Sequence, residues 1–336
     1  MATYKGIQGY SVQSLSSDPG TLSEVVGQLW YNSDAGKFKI AVQAAGAWAS
    51  GATANTPAVA KGSSSTGTTT AALTFGGTVS PSKTVNTETY DGTTWTEVAN
   101  LGAARYSGAF AGTQTAALFA TGDGLPNPYT LLISEEWDGT SWAEGNNVNT
   151  GVRQLASCGT QTAALKAAGF TGTPPAPAAT TSNVEEYNGT CWAEVVNISN
   201  IRRNTTGFGT QTAGVVYGGR PPSPEAASTL VEEYDGTSWT AGGALNTGSY
   251  SAGGSGTQTS GLAFARNTPP TSAKTEEYNG TAWTEVADMG QARYWAAGVG
   301  TGTAALACGG AAPTGNTGIT EEWTGAPVTA KTVTVS

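Results

Sequence analysis

An octapeptide that recurs at an almost constant interval constrains this chain more than any other feature. It reads Glu-x-aromatic-Asx-Gly-Thr-x-Trp, and its first full copy is Glu88-Thr-Tyr-Asp-Gly-Thr-Thr-Trp95. Four more full copies end at Trp142, Trp192, Trp239 and Trp283, at spacings of 47, 50, 47 and 44 residues. A sixth, truncated copy is Glu321-Glu-Trp-Thr-Gly325. A second motif, Gly-Thr-x-Thr-(Ala/Ser)-(Ala/Gly)-(Leu/Val) in most copies, keeps step with the first, starting at Gly67, Gly112, Gly159, Gly209, Gly256 and Gly300. Two motifs in phase across most of a chain mean that one supersecondary unit is repeated and stacked.

Each unit reads as four short strands. In the second, strand 1 is predicted over roughly 105–111 and strand 2 over roughly 116–121, the latter apolar as a strand covered on both faces should be. Strand 3 is 134–137, the Asp138-Gly139 pair suits a tight hairpin turn, and strand 4 opens at Trp142. No segment carries a 3.6-residue apolar stripe, so helices are expected to be scarce. A lone four-stranded sheet cannot bury both faces, whereas radial stacking covers each sheet with its neighbours. The predicted fold is therefore all-β: a six-bladed β-propeller of four-stranded blades over 46–336, preceded by a short N-terminal hairpin segment over 1–45.

Two features look architectural because they recur. The first glutamate of each pair (Glu135, Glu185, Glu232, Glu276) shares a strand face with the aromatic two residues on. A basic residue opens strand 1 in most units, as Lys61, Arg105, Arg153, Arg202 and Arg293, with Ser249 in the fifth. Repeated cation–carboxylate pairs are expected. Ring closure has two candidates. Either the orphan segment around Trp48 supplies the missing fourth strand of the last unit, or the alternating segment 328–335 does. The former is preferred, with the C-terminal strand then adding outside it or pairing with the N-terminal segment.

Composition narrows the function classes. The chain holds 15 Lys+Arg against 24 Asp+Glu, a formal net charge of −9. So acidic a chain gains little from counterion release, which argues against nucleic acid as a partner. No apolar run of 18 residues is present, so no membrane insertion is expected, and no secretory signal is visible at the N-terminus. The sequence contains no histidine, which removes His-based acid–base catalysis and most zinc or copper sites. Three cysteines, Cys158, Cys191 and Cys308, sit at different repeat positions and are expected as free thiols. No cofactor or metal site is expected, and no loop has the ordered oxygen-ligand spacing of a Ca²⁺ site.

The repeat resembles the kelch, or galactose-oxidase-type, propeller. The Gly-Gly doublet of that pattern is matched at Gly76-Gly77, Gly218-Gly219 and Gly309-Gly310, and departed from at Thr121-Gly122, Ala168-Gly169 and Ala265-Arg266. Copper oxidase chemistry is excluded by the missing histidines. The segment Val26-Gly-Gln-Leu-Trp-Tyr-Asn-Ser-Asp-Ala-Gly-Lys-Phe-Lys39 is similar to a hairpin of bacteriophage tail-fibre and other virion proteins, and the Glu-Glu-Tyr-Asp-Gly-Thr-Ser-Trp type of repeat resembles those of phage kelch-like proteins. The resemblance implies a non-enzymatic virion structural protein of the tail-fibre or appendage type. It would be made in the host cytoplasm, be homo-oligomeric, join other virion proteins through its N-terminal segment, and attach to host-surface glycan or protein. The alternative in the same class is a capsid or filament decoration or stalk component.

Where repeats differ, function can reside. The turns joining strands 1–2 and 3–4 are short and nearly identical, whereas the strand 2–3 loops vary. These loops carry Tyr129, Phe170, Arg220 and Arg266, residue types favoured in contacts, and these four are the candidate ligand-binding residues. No catalytic residue is expected. A glycan-degrading enzyme with two carboxylates is the competing class, for which the non-repeated acids Asp123, Glu225 and Asp288 are the candidates.

Overall fold

A computed structural model describes residues 12–63, 65–124, 129–172, 179–268, 270–326 and 328–334. The chain divides into two units, one of Met1–Gly46 with Gly325–Ser336, the other of Ala47–Thr324. The C-terminal strand therefore groups with the N-terminal segment instead of with the repeats.

Among the described residues the larger unit contains six four-stranded antiparallel sheets, five of them in simple up-and-down order. The second is typical: Ala109–Gly112, Ala117–Ala120, Ser134–Trp137 and Trp142–Gly145. The first strands of consecutive sheets meet one another, and that of the sixth meets that of the first, so the sheets form a closed cycle about a common axis. This is the radial stacking of β-propeller blades. The sixth sheet takes Ala297–Gly300, Ala304–Cys308 and Thr320–Thr324 from the C-terminal side and Ala47–Ser50 from the N-terminal side. Trp323 pairs with Trp48 across that junction, with ring centroids 5.5 Å apart. Of the two candidates for ring closure, the segment around Trp48 fills the slot.

The repeated residues explain the repeated turns. Asp138 Oδ1 accepts the backbone N–H groups of Thr140 and Ser141, each at 2.8 Å, and Gly139 sits at φ 94°. Those N–H groups hold the Asp138 carboxyl below its ordinary value. Asn188 and Asn279 accept the same pair of bonds in their hairpins, so Asx serves as acceptor and Gly as the positive-φ residue. In the strand 1–2 turn, Gly112 has φ 103°, and a Cβ there would meet the Ala116 carbonyl at 2.1 Å. Only glycine fits that position.

Neighbouring sheets are joined by the second glutamates and by glutamines. Tyr187, Tyr234 and Tyr278 donate their hydroxyls to Glu136, Glu186 and Glu233 of the preceding sheet, and Tyr90 donates to Glu322 at 2.7 Å. Burial, helped by that carboxylate, pushes the Tyr90 hydroxyl up to about 12. Where the following sheet carries Trp in place of Tyr, no hydroxyl is donated: Thr89 holds the position before Trp137, and Glu277, before Trp323, is a half-buried carboxyl that burial pushes above its ordinary value. Gln114, Gln161, Gln211 and Gln258 each donate to two carbonyls of the sheet before, such as Ala72 and Tyr90 for Gln114.

The first glutamates are buried in ion pairs, as expected, but their cations come from varied places. Arg105–Glu135 (3.1 Å), Arg202–Glu232 (2.7 Å), Arg293–Glu321 (2.5 Å) and Lys61–Glu88 (3.1 Å) follow the sequence reading. Arg153 does not pair with Glu185; Lys166 does, from strand 2, at 2.7 Å. In the fifth sheet, where Ser249 replaces the basic residue, Arg266 reaches Glu276 at 2.5 Å from just beyond strand 2. The carboxylate is fixed because it also accepts backbone N–H groups from the preceding sheet's exit loop. Glu276 takes those of Asn246 (2.9 Å) and Thr247 (3.3 Å), and Glu88 that of Asn55 (2.8 Å). Any cation able to reach that buried charge satisfies it.

The smaller unit is one mixed sheet. Gln13–Leu15 runs parallel to Leu29–Asn32, which forms the expected hairpin with Lys37–Gln43, and Val328–Thr332 pairs with the latter. Trp30 is buried in it. Asp18 accepts from Lys39 (2.7 Å), Asn32 (2.8 Å) and Trp30 (3.2 Å), which lowers its pKa, the Lys39 contact contributing most. Among the described residues there is no α-helix, and the cysteines are free.

Candidate binding cleft

Six residues, each a few positions before a first strand, adopt left-handed backbone without being glycine: Ala60, Ser107, Gln154, Asn204, Ser251 and Trp295, with φ between 51° and 57°. Their peptides link into a closed circle. Each N–H donates to the carbonyl of its counterpart in the preceding sheet, from Ala60→Trp295 (3.0 Å) round to Trp295→Ser251 (2.7 Å). Left-handed backbone costs a non-glycine residue about 1 kcal/mol, and a satisfied buried peptide offsets it. This kink also explains why Arg105 precedes strand 1 instead of lying in it: the extended chain begins only after Ser107. Inside the circle the axial space is small, a cavity of about 60 Å³ whose lining includes Phe110, Ser157 and Thr206.

The residue just before each circle member forms a β-bridge to the start of the strand 2–3 loop of its own sheet. The pairs are Val59–Thr78, Tyr106–Asp123, Arg153–Phe170, Arg203–Arg220, Tyr250–Asn267 and Tyr294–Ala311. Backbone geometry is thus constant while side chains differ, and the face at the mouth of the axis is a mosaic. On the first two sheets it is sealed: Asp123 is buried between Lys83 (2.8 Å), Tyr106 (3.2 Å) and Arg153 (3.4 Å). Across the third to sixth sheets it opens into a cleft of about 350 Å³, lined by Arg153, Gln154, Phe170, Arg203, Asn204, Arg220, Tyr250, Ser251, Asn267, Tyr294 and Trp295.

Cations and rings alternate in this cleft. Arg153 and Arg203 both lie over Phe170, at 5.1 and 4.8 Å from its centroid, and Arg220 lies over Tyr250 at 4.9 Å. Such contacts fix planar guanidinium groups on an aromatic floor while leaving their N–H edges free to donate. No carboxylate lines the cleft among the described residues; Glu225 stands at its rim, against Arg203 (2.7 Å) and Arg220 (3.2 Å).

Of the four residues singled out in the sequence, Phe170 and Arg220 lie in the cleft. The side chain of Tyr129 lies outside the described residues. Arg266 is a correction: it is fully buried and held by Glu276, because the fifth sheet draws its structural cation from that position, and it cannot touch a ligand. Arg153, Arg203, Tyr250, Tyr294 and Trp295 escaped the sequence reading. Arg153 was aligned with Arg202, whereas its true counterpart is Arg203; Val152 occupies the buried position. The register was readable from Arg105-Tyr106, Arg202-Arg203, Ser249-Tyr250 and Arg293-Tyr294, where a buried residue always precedes the residue that bridges to the strand 2–3 loop.

These sheets and their closed cycle define a β-propeller. The chain is similar in structure to YjhT, with a TM-score of 0.65 over 84% of this chain and 99% of that one, at 10% sequence identity. No family model matches the chain, and no curated protein matches it. At such low identity the likeness shows the fold alone, and the fold is compatible with many functions.

Proposed function

We propose that this is a six-bladed, kelch-like propeller acting as a non-enzymatic binding protein, a phage virion component of the tail-fibre or appendage type that presents the cleft to host-surface glycan or protein. The observation that carries this reading is the cleft itself, where three guanidinium groups are held on Phe170 and Tyr250 at the mouth of a rigid ring. Pre-positioned aromatic and arginine side chains bind with little loss of conformational freedom. Two further points support it. Sugars stack on aromatic faces, which Tyr294 and Trp295 add to the lining, and the amides of Gln154 and Asn267 offer hydroxyl-directed donors and acceptors. The acids needed by the glycan-degrading alternative are also poorly placed. Asp123 is enclosed by cations, Glu225 is ion-paired, and Asp288 is exposed elsewhere.

The separate unit containing Trp30 favours a role for the N-terminal segment as the attachment to other virion proteins. Glycan-array binding tests the main reading. The intact chain should bind a subset of surface glycans, and the double variant Phe170→Ala/Tyr250→Ala should lose binding while melting within a few degrees of wild type. Equal binding by that variant would remove the cleft as the binding site.

A further inference from the structure

Building on the cleft reading, we propose that it is specific for anionic polysaccharide, its acidic group (sulfate ester or carboxylate) occupying the fork between Arg203 and Arg220 where the Glu225 carboxylate now sits. Glu225 acts as an internal surrogate ligand. Its Oε1 accepts from Arg203 Nη2 at 2.7 Å, its Oε2 lies 3.2 Å from Arg220 Nη2, and nearly half of its side chain is exposed. Two guanidinium groups converging on one carboxylate is the geometry by which arginine recognises carboxylate or sulfate oxygens.

The loop that carries Glu225 is built differently from its counterparts. The strand 2–3 loops of the other five sheets are each braced by a two-stranded ladder, such as Phe170–Thr171 with Ala179–Thr180. The loop of the fourth sheet has none; Arg220 donates to the Glu225 carbonyl (3.1 Å), and the Glu225 side chain is tied to Arg203. An incoming acidic group can therefore displace Glu225 without breaking a β-ladder. Arg153 completes the positive field, since its nearest carboxylate, Asp123, is already shared with Lys83 and Tyr106. The whole chain carries a formal charge of −9 and repels polyanions at large, so a polyanion must find a local site to bind at all.

The test measures binding of the immobilised full chain to dextran sulfate, to a polyuronate and to neutral dextran, at low and at physiological salt. Wild type is expected to bind one or both polyanions, more weakly as salt rises, and to ignore dextran. Glu225→Gln removes the competing charge, and because exposed ion pairs are weak its affinity should rise about fivefold to tenfold. Arg203→Ala/Arg220→Ala should lose at least about tenfold while retaining the wild-type melting temperature. Polyanion binding that Glu225→Gln leaves unchanged or weakens overturns the proposal. Binding of neutral glycan alone, lost in Phe170→Ala/Tyr250→Ala, overturns it and leaves the cleft reading standing. Binding of no glycan by wild type or by Glu225→Gln defeats both.

Discussion

Replacing Arg266 by Met separates a structural from a ligand-binding role in a single experiment. Arg266 and Glu276 are both fully buried, 2.5 Å apart. Removing the cation leaves Glu276 as a buried charge held only by the N–H groups of Asn246 and Thr247 and the Asn246 amide. Breaking a buried pair from one side costs about 3–5 kcal/mol. In a domain of this size each kcal/mol lowers the melting temperature by ~2 °C, so a drop of about 6–10 °C is expected. The ten tryptophans give a fluorescence melt without labels. Arg153→Ala is the control: its side chain sits in the cleft, and Asp123 keeps Lys83 (2.8 Å) and Tyr106 (3.2 Å) when it is removed, so no buried charge is left unpaired and the melt should shift by no more than about 2–3 °C while ligand binding falls. The reasoning is refuted if Arg266→Met melts within ~2 °C of wild type, or if it folds normally and loses ligand binding as Arg153→Ala does.

Three other outcomes are expected. Trp283 Nε1 is buried without a partner, whereas Trp142, Trp192, Trp95 and Trp48 donate to Thr87, Ser134, Thr320 and Thr275 at the matching position of the preceding sheet. Val231 holds that position opposite Trp283, so Val231→Thr should raise stability by about 1 kcal/mol in denaturant unfolding; a lowered midpoint refutes the assignment. The hairpin carboxyls Asp91, Asp138 and Asp235 are all held below their ordinary value by hydroxyl and backbone donors, so their stabilisation is present above the unfolded carboxyl range and lost as pH falls through the lower folded value. The triple Asn variant, imitating Asn188 and Asn279, should match wild type in melts at pH 7 and lose less stability below about pH 4. Trp48→Ala removes the ring that packs on Phe264 and Trp323 and the bond to Thr275, and should cost about 2–4 kcal/mol in the same unfolding assay.

Much of the fold was legible because it rests on residue types that only one geometry accepts. Asx-Gly marks the hairpins, Gly112 and its equivalents mark the inner turns, and the Trp spacing led to the placement of Trp48. The departures from the Gly-Gly doublet turned out to be tolerated substitutions: Thr121, Ala168 and Ala265 take φ of 54°, 63° and 48°, the backbone that Gly76, Gly218 and Gly309 take freely. What stayed hidden has no residue signature. The axial circle is written as Ala, Ser, Gln, Asn, Ser and Trp, because its constraint falls on backbone alone. The cleft was half visible: variable loops pointed to Phe170 and Arg220, but Arg266 has the composition of a contact residue and the burial of a core one. Only the three-dimensional position of Glu276 distinguishes the two.

The junction at Trp48 also sets an order in time. Trp48 donates to Thr275, 227 residues later in the chain, and lies beside a strand later still. At about 5–20 residues per second, synthesis leaves that N-terminal strand without its partner for roughly 10–50 s. The first strand of the ring to leave the ribosome is thus the last to be paired. Until then its edge and an indole are open to any nascent neighbour making the same exchange, which is the route by which two copies would close each other's rings.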